Sequence, residues 1–207
     1  MAHIPDGVLS LPVLLGGGAL AAGGLALGLS RLDERDIPAT AILAAVFFVV
    51  SLVSVPLGPS SAHLLLSGLM GIVLGVKAIP AIFVGLLLQA VFFGFGGLTS
   101  LGVDVVDIAF PGVILGTLAA PLLARSEGFL AAVVAGAVAA TAVVGTLACV
   151  ALALALSSAD YLPSLRVVVL TGLPLAVVEA VVTGFVVAYL KRVKPEILPF
   201  GVAGATG

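Results

Sequence analysis

Two histidines carry the chemistry open to this chain: His3, within Met1-Ala2-His3-Ile4-Pro5-Asp6-Gly7, and His63, within Ser60-Ser61-Ala62-His63-Leu64. No other histidine occurs in 207 residues, and Cys149 is the single cysteine. An imidazole so close to the chain start can bind a metal together with the backbone itself. Met before a small residue such as Ala2 is a good substrate for removal. The new Ala2 amine, the His3 amide nitrogen and His3 Nδ1 would then form adjacent chelate rings with three nearly coplanar nitrogens. His63 could add a fourth, giving the square-planar nitrogen set that suits Ni(II) or Cu(II), with Co(II) a further possibility. If Met1 stays, the amine, two amides and the His3 imidazole already supply four nitrogens, and His63 becomes superfluous.

The elements that must position these groups belong to a membrane. A composition of 62% hydrophobic and 9% charged residues, with a mean hydropathy of +1.39, lies far outside that of a water-soluble domain. The expected fold class is all-α, a polytopic transmembrane helical bundle of about seven helices, since each crossing takes roughly 20 apolar residues. Helices are predicted near 11–30, 38–56, 63–77, 79–94, 108–124, 128–157 and 164–192. The breakers Leu32–Asp36, Pro56–Ser61 and Gly94–Gly102 separate some of them. The segments at 63–77 and 79–94 are short for full spans. They either tilt little, stop short of one interface, or form a broken pair packed against neighbours. The whole chain, 1–207, reads as a single membrane domain: a metal-binding segment 1–10, a bundle 11–192 and a tail 193–207. No cleavable signal peptide is expected, because no Lys or Arg precedes the first apolar run.

Basic residues orient the bundle. With the N-terminus outside and an odd number of crossings, Arg31, Arg35, Lys77, Arg125, Lys191, Arg192 and Lys194 fall on the cytoplasmic side, with Arg166 alone outside. The C-terminus is then cytoplasmic, and His3, His63 and the glycine-rich loop share the outer face. A net charge of -2 gives no reason to expect a nucleic-acid partner; the expected surroundings are lipid, in the cell membrane.

The segments His3-Ile4-Pro5-Asp6-Gly7, Ser60-Ser61-Ala62-His63-Leu64, Gly94 to Gly102 and Pro174-Leu175-Ala176-Val177-Val178-Glu179 together resemble the CbiM/NikM family. Its members are the substrate-specific membrane components of energy-coupling-factor transporters for cobalt and nickel. The resemblance implies an N-terminal segment plugged into the bundle, with the ion held by the terminal amine of Ala2 (Met1 if not removed), by His3 and by His63. Asp6, Ser61, Thr99, Asp104 and Glu179 are candidates for supporting or structural positions. It implies partners as well: a transmembrane coupling subunit, ATP-binding subunits and, in some systems, a small accessory membrane subunit. Co(II) or Ni(II) is then cargo, and no cofactor is implied. Two departures from the pattern stand out. Ala2 precedes the His, a register that loss of Met1 would restore, and Phe95 and Asp104 occupy positions where relatives often carry His and Asn.

Each signal has a plain structural alternative. His63 could cap or pack at a helix start behind Ser60 or Ser61. Glu179, in the middle of an apolar run, is either functional or a neutral hydrogen-bonded carboxyl, and Gln89 suits an interhelical hydrogen bond. Small-residue ridges at Gly18-Ala22-Ala26 and Ala132-Gly136-Ala140 allow close helix approach, within the subunit or against another. No Walker motif or nucleophile–base pair is present, so the chain is not expected to be an enzyme. A competing transport reading is an ion-coupled secondary transporter of a divalent metal with Glu179 as its proton site. An intramembrane metalloenzyme would need an open coordination position and a general base, for which polar groups are scarce.

Overall fold

The computed structural model describes residues 3–52, 54–57 and 60–200. Helices dominate: α1 (Leu11–Ser30), α2 (Ile37–Val50), α3 (Ser67–Leu74), α4 (Ala78–Phe93), α5 (Leu101–Arg125), α6 (Gly128–Ser157) and α7 (Leu165–Val193). A short hairpin, β1 (Ser54–Leu57) and β2 (Ser60–His63), lies between α2 and α3, with Ser54 paired to His63 and Leu57 to Ser60. Five helical stretches among the described residues are long and apolar enough to cross a membrane: Leu11–Ser30, Ser67–Phe93, Leu101–Arg125, Gly128–Ser157 and Gly172–Val193.

The third and fourth segments form the broken pair. Gly75 at φ 56 ends α3, a turn over Gly75–Lys77 follows, and α4 then begins. Left-handed backbone at that joint favours glycine, which has no Cβ to strain. Every residue of α3 is buried, so its short length exposes no unpaired backbone to lipid. It packs almost backbone to backbone on α5: a Cβ on Gly71 would fall 1.9 Å from the Gly112 carbonyl oxygen, and one on Gly112 would fall 2.1 Å from that of Ser67. At the same end of the bundle, Lys77 pairs with Asp36 at 2.9 Å, tying the α3–α4 joint to the α1–α2 joint.

Glycine contacts also give the helix directions. Gly17 lies against Val103 and Gly24 against Phe110, so α1 and α5 run parallel, whereas Gly136 meets Ala180 and Gly184 meets Ala132, so α6 and α7 run antiparallel. The Ala132-Gly136 ridge is therefore spent on packing inside the chain. Gln89, fully buried, donates from Nε2 to Ser51 Oγ and so joins α4 to the end of α2.

Three predicted boundaries are corrected. The helix expected over 38–56 ends at Val50, where the Ser51 hydroxyl donates to the Phe47 carbonyl at 2.5 Å, and the chain turns extended into the hairpin. The helix expected from 63 begins at Ser67, so His63 ends a strand and caps nothing. The helix expected from 108 begins at Leu101; Asp6 fixes the residues just before it, Leu98 to Ser100, and Asp104 in its first turn accepts the Ile4 N–H.

Candidate metal centre

The N-terminal segment is held down residue by residue. Ile4 (3% exposed) and Leu9 (8%) are its apolar anchors, packed with Val103, Val150, Ala153 and Leu154 from α5 and α6. Burying two such side chains contributes roughly 1.5–3 kcal/mol each. The backbone is pinned at both ends of the segment. Ile4 N–H donates to Asp104 Oδ1 at 2.9 Å, and the Ser100 hydroxyl donates to the Ile4 carbonyl. Ser10 N–H donates to Ser157 Oγ at 3.1 Å.

Asp6 closes the segment onto the α4–α5 loop. Its Oδ1 accepts from Thr99 N–H at 2.9 Å, from Ser100 N–H at 3.4 Å and from the Thr99 hydroxyl, while Oδ2 accepts from Leu98 N–H at 3.2 Å. The approach is so close that a Cβ on Gly97 would fall 2.0 Å from Asp6 Oδ1. The Thr99 hydroxyl bond, then the backbone donors, hold the Asp6 carboxyl below the usual carboxylate range. A depressed native value means that the latch has its full strength above the ordinary carboxylate pKa and is lost only as pH falls through the depressed one. Asp6→Ala is expected to speed hydrogen exchange at Leu98, Thr99 and Ser100 by about tenfold, the worth of one ordinary hydrogen bond. Unchanged exchange would show that the loop is held by other contacts.

His63 enters from the opposite direction, at the end of β2. Its ring is buried, and Nδ1 has no hydrogen-bond partner among the described residues. The ring lies 5.7 Å, centroid to centroid, from that of Phe95. The next residue in the chain, Gly96, lies beside the other histidine: a Cβ there would sit 3.5 Å from His3 Cβ, 3.9 Å from His3 Nδ1 and 2.9 Å from Asp104 Oδ2. The two histidines thus flank one short stretch of the α4–α5 loop, in which Gly96 has φ 77 and no Cβ to crowd His3 and Asp104. Burial, and after it the adjacent His63, push the His3 imidazole down to about 4. At neutral pH His3 is uncharged, with a lone pair that needs no proton displaced before it can ligate.

The other predicted site residues take distinct places. Asp104 holds Ile4, and Asp6 and Thr99 hold each other. Glu179, fully buried on α7, accepts backbone N–H groups of Leu65 and Leu66. Ser61 lies in β2, and Met1 and Ala2 lie outside the described residues. Among the described residues no three His, Cys, Asp or Glu side chains gather as a metal site; the imidazoles stand as a pair. Sequence reasoning missed Gly96, Gly97 and Ser100 as individual supports. The clue was present in two consecutive glycines followed by Leu98-Thr99-Ser100, a run of donors suited to a carboxylate.

Residues 3–197 match the profile of the family described as the cobalt uptake substrate-specific transmembrane region, CbiM. A cobalt transport protein CbiM of Sorangium cellulosum is 34% identical over 212 residues, covering 95% of this chain and 94% of that protein. A fused nickel transport protein NikMN of Rhodobacter capsulatus is 35% identical over 116 residues, 53% of this chain and 33% of that protein. A crystal structure described as a transition metal transporter superposes with a TM-score of 0.72 at 28% identity, covering 94% of each chain. With the profile running from His3 to the turn beyond α7 and the bundle shared with a solved transporter, this chain belongs to the CbiM family of multi-pass membrane proteins.

Proposed function

We propose that this chain is the substrate-capture subunit of an uptake system for Co(II) or Ni(II), holding the ion by nitrogen atoms alone. The observation that carries the reading is a buried imidazole, His63, with an unpartnered ring nitrogen, set beside a neutral His3 at the pinned chain start. In this reading the Ala2 amine, exposed by loss of Met1, joins the His3 amide, the His3 ring and His63 in a planar set. The histidines face the outer side of the membrane. Copper binds such donors more strongly than nickel or cobalt do, so geometry and metal supply decide the cargo. The chain itself hydrolyses nothing; a coupling membrane subunit driven by ATP-binding subunits supplies the work, in some assemblies with a small accessory membrane subunit.

The rival reading uses Glu179 as the proton site of a secondary transporter. It has less support, because one carboxylate oxygen is committed to two backbone donors. Uptake of radioactive nickel into vesicles containing the assembled complex separates the two readings. Accumulation should require ATP and survive collapse of the proton gradient. Uptake that needs no ATP and vanishes with the gradient would establish the rival.

A further inference from the structure

The passage from His63 to α3 is unusual backbone. Leu64 to Leu66 connects the end of β2 to Ser67, and Leu66 sits at φ 48, ψ 14, the one non-glycine residue with positive φ among the described residues. L-residues avoid this left-handed conformation because Cβ crowds the following carbonyl, so the surroundings must impose it. What imposes it is Glu179. From 114 positions along the chain its Oε1 accepts Leu65 N–H and, at 2.9 Å, Leu66 N–H. Successive backbone N–H groups converging on one carboxylate oxygen form an anion-binding concavity, filled here by a side chain from α7.

Every participant is fixed. Glu179 is fully buried, Leu65 and Leu66 are 3% and 4% exposed, and His63 is 8% exposed. Leu65 lies two residues from His63, so the place of the imidazole is set by how far the Glu179 arm draws this backbone towards α7. No other side-chain hydrogen bond reaches the Leu64–Leu66 connection among the described residues.

We propose that Glu179 is the positioning residue for the fourth nitrogen: by gathering the Leu65 and Leu66 amides it holds His63 against His3. This rests on the reading above, in which His63 ligates the cargo. A groove lined by Asp107 and Cys149 has no comparable link to either histidine. Glu179 touches no metal and takes up no proton in this role. It acts on the centre through three residues of backbone, as groups behind a ligand generally do, and their loss typically weakens metal binding 10–100-fold.

The test is Ni(II) and Cu(II) titration of the purified full chain in detergent, read by affinity and by the visible d–d band, in wild type, Glu179→Ala, Glu179→Gln, His63→Ala and the double variant Glu179→Ala/His63→Ala. Glu179→Ala should lose about 10–100-fold in affinity and show the d–d band of His63→Ala although His63 is present. The double variant should bind no more weakly than His63→Ala alone, because the two changes remove one and the same interaction. Glu179→Gln, whose side-chain oxygen still accepts both amides, should bind within about threefold of wild type and keep its band. If Glu179→Ala does not fold, Glu179→Asp, which shortens the arm, should show the weakened fourth nitrogen. A Glu179→Ala or Glu179→Asp protein with wild-type band and affinity would overturn the proposal, whatever its thermal stability. So would a Glu179→Gln protein with the His63→Ala band. A wild-type chain that binds neither ion would instead overturn the metal-capture reading itself.

Discussion

His63→Ala is expected to leave a folded bundle that has lost its hold on nickel and cobalt by more than about 100-fold, beyond the range seen when groups behind a ligand are removed. The fold should survive because His63 ends the β1–β2 hairpin, outside the helices, while the bundle is held by α3 against α5 and by α6 against α7. Three nitrogens of a trimmed N-terminus would remain, leaving one planar position to water or an exogenous ligand. The d–d band should shift accordingly, and added imidazole should restore part of the affinity by filling the vacated position. Affinity unchanged by the substitution would show that the chain start binds the ion by itself.

The second large effect concerns register. Replacing Ala2 by glutamate puts a bulky side chain behind Met1 and blocks its removal. The terminus then offers an amine, two amides and the third-position imidazole, four nitrogens without help. Ala2→Glu is expected to bind metal independently of His63, so that adding His63→Ala changes its affinity by less than about threefold. In the wild-type background the same change costs more than about 100-fold. Uptake by the assembled transporter should fall nonetheless, since the ion would be wrapped by the terminus alone. Equal dependence on His63 in both backgrounds would refute the trimmed register.

How much of this was legible beforehand depended on where each residue's partners lie along the chain. The long spans could be read because each carries its own evidence: α1 and α6 begin and end where their apolar runs do. The pair His3 and His63 could be read because imidazoles are rare here and a chain start offers nitrogen donors. The stretch from Val46 to Val55 misled, since a mostly apolar run suits a buried helix and a strand equally; the structure ends α2 at Val50 and starts β1 at Ser54. The start of α3 was hidden for another reason. The two N–H groups just before it, of Leu65 and Leu66, are held by Glu179, more than a hundred residues away, and no local capping pattern announces a partner of that kind. The first turn of α5 reads as a loop, with Gly102 and Asp104 close together, until Ile4 is brought to Asp104 and Asp6 to the residues just before the helix. Glu179 itself was visible as a costly group in an apolar run, but its occupation was not.

In the proposed site a trimmed chain start and His63 together hold one metal ion. Intact-mass analysis of the protein purified from nickel- or cobalt-fed cells, with metal quantified in the same sample, tests it most directly. The expected result is a chain lighter by one methionine and carrying one nickel or cobalt per protein, with the metal absent from His63→Ala. A chain that keeps Met1 and binds its full complement of metal without His63 would contradict it.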